Sequence, residues 1–128
     1  MARRKILRHI FRFHGLLESF KIATRGVIYL FLFHRNMRII FMTGILASLL
    51  GIYLKLNSIE LVVLCIAVTL VFMAEIFNTA IEMSMNMLTA KYRIRIKLVK
   101  DIAAAVVLLT AINALAIGYI LFVRRIIK

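Results

Sequence analysis

The feature that most constrains this chain is a run of 22 uncharged, mostly apolar residues at positions 102–123. The run lies between Lys100-Asp101 and Arg124-Arg125. A helix rises about 1.5 Å per residue, so a run of this length crosses a hydrocarbon layer about 30 Å thick. The segment therefore predicts a transmembrane helix, and the rest of the chain must be compatible with a bilayer.

Two further segments are apolar enough to span. Residues 39–54 carry no charge and are followed by Lys55, and residues 61–88 are mostly apolar and carry only two charged groups, both carboxylates. The short turn between them, 55–58, ends at Ser58, which we predict to be the N-cap of the next helix. The sequence contains no Pro and no turn-rich segment that would indicate strands. We predict an all-α membrane protein with transmembrane helices over about 36–54, 58–88 and 98–123.

The N-terminal segment has a different pattern. Its apolar residues recur at alternating spacings of four and three, with basic residues between them. This predicts an amphipathic helix over about 5–33 that lies in the membrane interface. The charges interrupt any apolar core of the length that a secretory signal needs. The apolar stripe consists of Ile6, Ile10, Phe13, Leu17, Phe20, Thr24, Val27 and Phe31.

The charge balance supports a membrane setting. The chain has 18 Lys and Arg against five Asp and Glu, a formal net charge of +13. In a soluble protein this would favour nucleic acid, but these bases flank apolar runs, which favours an anionic membrane surface and argues against a nucleic-acid partner. With the N-terminus in the cytoplasm, fourteen bases fall on the cytoplasmic side and four on the other. This positive-inside bias predicts a cytoplasmic N-terminus.

Ionisable groups inside predicted spans are candidate functional groups, because burying them in lipid is costly. Glu75, Asn78 and Glu82 lie at positions i, i+3 and i+7 on one face of the second span, with Glu75 near the edge of the hydrocarbon and Glu82 roughly 10 Å further out. A carboxylate shielded from water can take a hydroxyl proton, and a wetter one can bind Mg²⁺. Charged residues begin the other two spans: Arg35 and Arg38 the first, Lys100 and Asp101 the third. The Lys and Arg side chains among them could neutralise phosphate oxygens. From spacing alone, interhelical ion pairs and helix caps are the favoured explanation.

Small residues at helical spacing predict close helix packing. They are Gly44, Ala47, Ser48 and Gly51 in the first span and Ala114 and Gly118 in the third.

One motif favours a functional role for the charged residues of the spans over a purely structural one. Residues 74–82, Ala-Glu-Ile-Phe-Asn-Thr-Ala-Ile-Glu, resemble the E-[LIF]-x-N-[ST]-A-I-E signature of the bacterial diacylglycerol kinase and undecaprenol kinase family. The resemblance covers about residues 18–122. Further matches keep the family's order: Ser19-Phe20-Lys21 with Arg25-Gly26, Arg35-Asn36-Met37-Arg38-Ile39, and Lys100-Asp101-Ile102-Ala103-Ala104-Ala105.

The resemblance implies a fold, an activity and roles for single residues. It implies one domain over 1–128, a homotrimer in the bacterial inner membrane, and phosphorylation of a lipid alcohol, undecaprenol or diacylglycerol, by MgATP at the cytoplasmic interface. Glu75 then matches the general base, Asn78 its partner and Glu82 a metal ligand. The nucleotide would be contacted by Lys100 and Asp101, with Arg35, Arg38 and Tyr92.

Four positions depart from the family pattern, and each change removes negative charge or adds positive charge. His34 stands where the family has an acidic metal ligand, Asn86 replaces an Asp, and Lys91-Tyr92-Arg93 replaces Glu-Tyr-His. Because Mg²⁺ binds imidazole poorly and Mn²⁺ accepts it, His34 as second ligand predicts weaker activity with Mg²⁺ or a shift to Mn²⁺. The alternatives are a catalytically impaired relative that binds lipid or nucleotide, a non-enzymatic membrane adaptor, and a small ion or proton carrier.

Overall fold

The described part of the chain is helical. A computed structural model describes residues 15–88, 91 and 93–128, and it contains four α-helices and no strand within those residues. Three of the helices are long and apolar enough to cross a membrane, which confirms the predicted all-α membrane fold. The predicted surface helix is described from residue 16 onward, and its first part lies outside the described residues. The helices are α1 (Leu16–Phe33), α2 (Arg35–Tyr53), α3 (Ser58–Asn86) and α4 (Arg93–Ile127).

The chain divides into two compact units, residues 1–34 and 35–128. In the first unit, α1 has Glu18 in its first turn, where the helix dipole favours an acidic residue. The helix ends at His34, whose extended backbone (φ −116°, ψ 110°) stops the helical pattern and whose N–H donates to the Leu30 carbonyl oxygen at 2.9 Å. Leu17 and Phe20 of the predicted apolar stripe have exposed side chains.

In the second unit, α3 packs against both α2 and α4. The contact with α2 is close at two glycines. A Cβ atom at Gly44 would lie 2.7 Å from Val68 Cγ1, and one at Gly51 would lie 3.1 Å from Leu64 Cδ2. The predicted close packing of the first span is therefore confirmed. A Cβ at Gly118 of α4 would meet only its own helix among the described residues.

The turn between α2 and α3 is closed by backbone hydrogen bonds. The Lys55 N–H donates to the Ile52 oxygen at 3.0 Å, and the Leu56 N–H donates to the Gly51 oxygen at 3.1 Å. Lys55 adopts φ 55°, so the pair of bonds forms a Schellman motif with a non-glycine residue in the left-handed position. Leu56 is buried and its Cδ1 would lie 3.1 Å from a Cβ at Gly51, which supplies the apolar contact of that motif.

The N-cap of α3 is Asn57, so the prediction of Ser58 was wrong. The Asn57 side-chain oxygen accepts the Glu60 N–H at 2.9 Å, and Glu60 Oε2 accepts the Asn57 N–H at 2.9 Å. This reciprocal capping box requires an acid or amide three residues after the cap. The third residue after Ser58 is Leu61, whose side chain has no hydrogen-bond acceptor. The third residue after Asn57 is Glu60, and for that reason Asn57 is the N-cap.

Helix α4 extends beyond the predicted span of 98–123 at both ends. It has 35 residues, about 52 Å of helix, which is longer than the hydrocarbon layer is thick. The prediction stopped at charged residues, but charges do not end a helix once it has left the hydrocarbon. The additional turns carry charged side chains such as Arg93, Arg95 and Arg125.

Side-chain contacts fix how the three helices are aligned. The Phe41 and Phe72 rings meet edge to face at 5.7 Å, in the same register as the Gly44–Val68 contact between α2 and α3. Helices α3 and α4 meet at Asn86 and Lys100 at one end and at Glu60 and Arg125 at the other. We call these the Lys100 end and the Arg125 end.

Candidate active site

Helix α3 carries four polar residues on one face, and their exposure rises towards the Lys100 end. Glu75 is buried (5% exposed), Asn78 is half-buried, and Glu82 and Asn86 are exposed. We call these four residues the polar series of α3. At about 1.5 Å per residue, Glu82 lies about 10 Å and Asn86 about 16 Å from Glu75 along the helix axis. The face therefore runs from an apolar environment to an aqueous one.

The burial of Glu75 follows from its place in the packed part of α3. Ala74 and Thr79 are buried as well, at 6% and 2% exposed. The register set by Gly44–Val68 and Phe41–Phe72 brings Arg38 of α2 to the level of Glu75, with Arg35 one turn nearer the Lys100 end. Two predicted phosphate-facing cations therefore begin α2 where the polar series emerges from the apolar layer.

Lys100 and Asp101 point in different directions although they are adjacent in sequence. Lys100 Nζ donates to Asn86 Oδ1 at 2.5 Å, which joins the start of α4 to the end of α3. Asp101 Oδ2 accepts from Lys97 Nζ at 3.0 Å on the surface of α4 itself. Successive helical residues are turned by about 100°, so only one of the two can face α3.

The structure brings some of the predicted residues together and keeps others apart. Lys100 reaches Asn86, one turn beyond Glu82, so a cation and a carboxylate share the Lys100 end. The level of Glu75 is about 16 Å from that of Asn86 along α3, so within this chain Lys100 does not lie beside Glu75. Tyr92 lies outside the described residues, and Lys91 is exposed.

The predicted metal ligands lie in different units. His34 ends α1, with its ring centroid 6.1 Å from that of Tyr29, and Glu82 belongs to α3. Among the described residues no three His, Cys, Asp or Glu side chains are grouped to hold a metal. A single exposed carboxylate nevertheless suits Mg²⁺, because this ion commonly keeps water and phosphate oxygens as its other ligands.

An apolar groove of about 540 Å³ lies between α2, α3 and α4. Its lining includes Val71, one turn from Glu75, and Ala111, which the Asn86–Lys100 and Glu60–Arg125 contacts bring to the level of Glu75. Gly118 lines the groove as well, so the small residues of the third span open a space instead of forming the predicted close contact. The sequence signal that could have indicated the groove is the presence of small residues on both α2 and α4, since Gly44 and Ala47 line it together with Ala114 and Gly118.

A second polar contact joins the helices at the Arg125 end. Arg125 Nη2 donates to the Lys55 carbonyl oxygen at 2.8 Å and to Glu60 Oε2 at 3.1 Å. Glu60 therefore serves both the cap of α3 and the anchoring of α4. The sequence analysis identified no partner for Arg125, because the contact spans 65 residues and depends on the register of α3 and α4.

Comparison with known proteins gives a consistent result. A family model described as Prokaryotic diacylglycerol kinase matches residues 21–122. A protein named diacylglycerol kinase from Synechocystis sp. (strain ATCC 27184 / PCC 6803 / Kazusa) is 38% identical over 105 residues, which are 81% of this chain and 60% of that relative. A protein named undecaprenol kinase from Bacillus subtilis (strain 168) is 28% identical over 108 residues, 84% of this chain and 88% of that relative. The chain thus spans less than two thirds of the Synechocystis protein, and no solved structure matches it.

Proposed function

The chain belongs to the prokaryotic diacylglycerol kinase family, and on that basis we propose that it is a membrane lipid kinase. It would transfer the γ-phosphate of ATP to the hydroxyl group of a lipid. The observation that carries this proposal is the polar series of α3, in which a buried carboxylate, Glu75, and an exposed one, Glu82, share one helix face. A lipid hydroxyl and an aqueous nucleotide can meet along such a face.

In the proposed reaction Glu75 is the general base. It takes the proton of the lipid hydroxyl while the lipid oxygen forms a bond to the γ-phosphorus and the bond from that phosphorus to the ADP oxygen breaks. Burial supports this role, because it keeps bulk water away from the carboxylate at the depth where a lipid hydroxyl would arrive. Asn78, half-buried three residues later on the same face, would orient the carboxylate or the incoming hydroxyl.

The nucleotide would be bound at the Lys100 end. Lys100, Arg35 and Arg38 would neutralise phosphate charge, and Asp101 and Tyr92 would help to orient the nucleotide. Glu82, with His34 as second ligand, would hold Mg²⁺ on the phosphates, and an imidazole ligand favours Mn²⁺ as the alternative ion. The metal, when bound, supplies charge neutralisation between the phosphate oxygens.

The apolar groove supports a lipid as the phosphate acceptor. Its walls are almost entirely hydrocarbon, and it extends to within one helical turn of Glu75. An acyl or prenyl chain in the groove would therefore leave its hydroxyl end near the base. Both undecaprenol and diacylglycerol fit this description, since each combines long hydrocarbon with one terminal alcohol.

We further propose a homotrimer in the bacterial inner membrane, with the N-terminus and the Lys100 end in the cytoplasm. The axial separation of about 16 Å between Glu75 and Asn86 supports a site shared between subunits, because a neighbouring chain can bring further cations to the base. The charge distribution supports the orientation. Of the few bases on the opposite side, Arg125 is paired with Glu60, which reduces the positive charge there.

The test is phosphorylation of undecaprenol and of diacylglycerol in mixed micelles by purified protein with radiolabelled ATP. Glu75→Gln should lower turnover by at least about 100-fold, the usual contribution of a general base. Glu60→Gln is the matched control, because it makes the same chemical change at the Arg125 end and should leave turnover within about twofold of wild type. Wild-type protein that binds nucleotide without phosphorylating either lipid would be an impaired family member instead.

A further inference from the structure

The contact between Lys100 and Asn86 joins a charged group to a neutral one. Lys100 Nζ donates to the side-chain oxygen of Asn86, the last residue of α3. Lys97 forms an ion pair with Asp101, and Arg125 forms one with Glu60, whereas in the described part of the chain no carboxylate pairs with Lys100. The ammonium group of Lys100 is therefore held in place while its charge is not cancelled by a neighbouring anion.

The surroundings keep that charge uncompensated. The start of α4 is basic at Arg93, Arg95 and Lys97 and has no acidic residue in its first turn. The neighbouring acidic side chain of α4, Asp101, already accepts from Lys97, and among the described residues Glu82 of α3 lies one helical turn before Asn86 without forming an ion pair with Lys100. The partial negative charge at the C-terminal end of α3 attracts Lys100 without supplying a full anion.

Asn and Asp side chains have nearly the same shape, so an amide at position 86 differs from a carboxylate there in charge and not in fit. A carboxylate at this position would form an ion pair with Lys100, and an incoming phosphate would have to compete with it. The amide accepts one N–H of the ammonium group and leaves the other two donors available. The amide therefore fixes the Lys100 side chain and only slightly lowers the attraction of its ammonium group for anions.

We propose that Asn86 is a positioning residue that holds Lys100 at the end of α3 with its positive charge available to the phosphates of the nucleotide. This inference rests on the proposed kinase function and specifies how the nucleotide end of its site is built. Glu82 precedes Asn86 by one helical turn on the same face, so Asn86 also sets the spacing between the Lys100 cation and the Glu82 carboxylate.

Asn86→Asp tests the proposal, because it changes charge with almost no change in shape. The KM for ATP should rise about fivefold, the upper range for breaking an exposed ion pair, while kcat changes less than twofold. The increase should shrink at high salt, because exposed ion pairs are screened. Asn86→Gln, which keeps the amide, should remain within about twofold of the wild-type KM.

Ser84→Asp is the matched control for added charge. Ser84 is exposed on α3, its hydroxyl donates to the Ala80 carbonyl oxygen at 2.8 Å, and it lies about 160° around the helix from Asn86. The same negative charge placed there should leave the KM for ATP nearly unchanged. An equal increase in both Asp variants would overturn the proposal, since it would indicate general repulsion of the nucleotide.

The proposal and the kinase function can fail separately. An active wild-type enzyme whose Asn86→Asp variant has an unchanged KM at low salt refutes the role of Asn86 and leaves the kinase function intact. Wild-type protein that neither binds ATP in a direct calorimetric titration nor phosphorylates lipid refutes both. An unaltered unfolding midpoint in Asn86→Asp, together with the raised KM, would establish that the effect acts on the nucleotide and not on the fold.

Discussion

A methyl group added at Gly44 is expected to force α2 and α3 apart. The Cβ of an alanine at this position would lie 2.7 Å from Val68 Cγ1, about 1 Å closer than the usual separation of 3.5–4.0 Å between non-bonded carbons. Val68 cannot turn away cheaply, because a β-branched residue in a helix is held in one side-chain rotamer. The strain must therefore be relieved by movement of the helices.

The expected magnitude follows from two opposing contributions. Overpacking of this kind costs about 1–3 kcal/mol, and replacing glycine by alanine in a helix recovers about 1 kcal/mol. Gly44→Ala should therefore destabilise the protein by up to about 2 kcal/mol. In Val68→Ala the clashing methyl is absent, so the double variant should be more stable than the sum of the single changes predicts, with a coupling of about 1–2 kcal/mol.

Unfolding in mixed micelles with increasing dodecyl sulfate, followed by far-ultraviolet circular dichroism, measures these differences. Gly118→Ala is the matched control. In the part of the chain that the structure describes, a Cβ there would meet only Phe122 of its own helix, at 3.7 Å, so stability should be unchanged or slightly raised. If Gly44→Ala behaves like Gly118→Ala, or if Val68→Ala gives no coupling, the close packing of α2 on α3 at this point is refuted.

Three further predictions concern the ends of the helices. Lys55→Gly should raise stability by about 1 kcal/mol in the same unfolding assay, because φ 55° strains an L-residue and not glycine, and Lys55→Ala should give no such gain. Arg125→Gln should lower stability by about 1 kcal/mol through loss of its charged bonds to Glu60 and the Lys55 carbonyl oxygen, whereas Lys128→Gln, which removes the same charge, should have almost no effect. His34→Glu should raise the ratio of activity in Mg²⁺ to activity in Mn²⁺, and an unchanged ratio in the phosphorylation assay would exclude His34 as a metal ligand.

The sequence predicted the membrane helices because their signal is local. The uncharged run at 102–123 and the turn at 55–58 are read directly from residue order. The structure has helix α4 across the first and the break between α2 and α3 at the second. The sequence analysis misassigned the cap of α3, because Asn57 and Ser58 are both good N-caps and only the position of Glu60 decides between them. It ended α4 too early because charged residues mark the edge of the hydrocarbon and not the end of a helix.

The candidate site was predictable where it depends on spacing within a single helix. The series from Glu75 to Glu82 follows from helical spacing along one element, and burial of Glu75 fits the expected environment. The contact of Lys100 with Asn86 was not predictable, because it depends on the register between two helices that no local pattern specifies. The groove was missed because it depends on how α2, α3 and α4 are arranged, which no local sequence pattern specifies.

The cation at each end of the helix bundle is bound by a different kind of group, and this difference bears on function. Arg125 is bound by the carboxylate of Glu60 and by a backbone carbonyl, so its charge is used to hold α4 to the α2–α3 turn. Among the described residues Lys100 is held by an amide alone, although a carboxylate of the same shape would give a stronger contact. If the two contacts served stability alone, we would expect a carboxylate to pair with Lys100, as Glu60 pairs with Arg125. Binding of a metal-bound polyphosphate instead requires a fixed, uncompensated cation next to an exposed carboxylate. Variants at the Lys100 end should therefore change nucleotide affinity, and variants at the Arg125 end should change only stability.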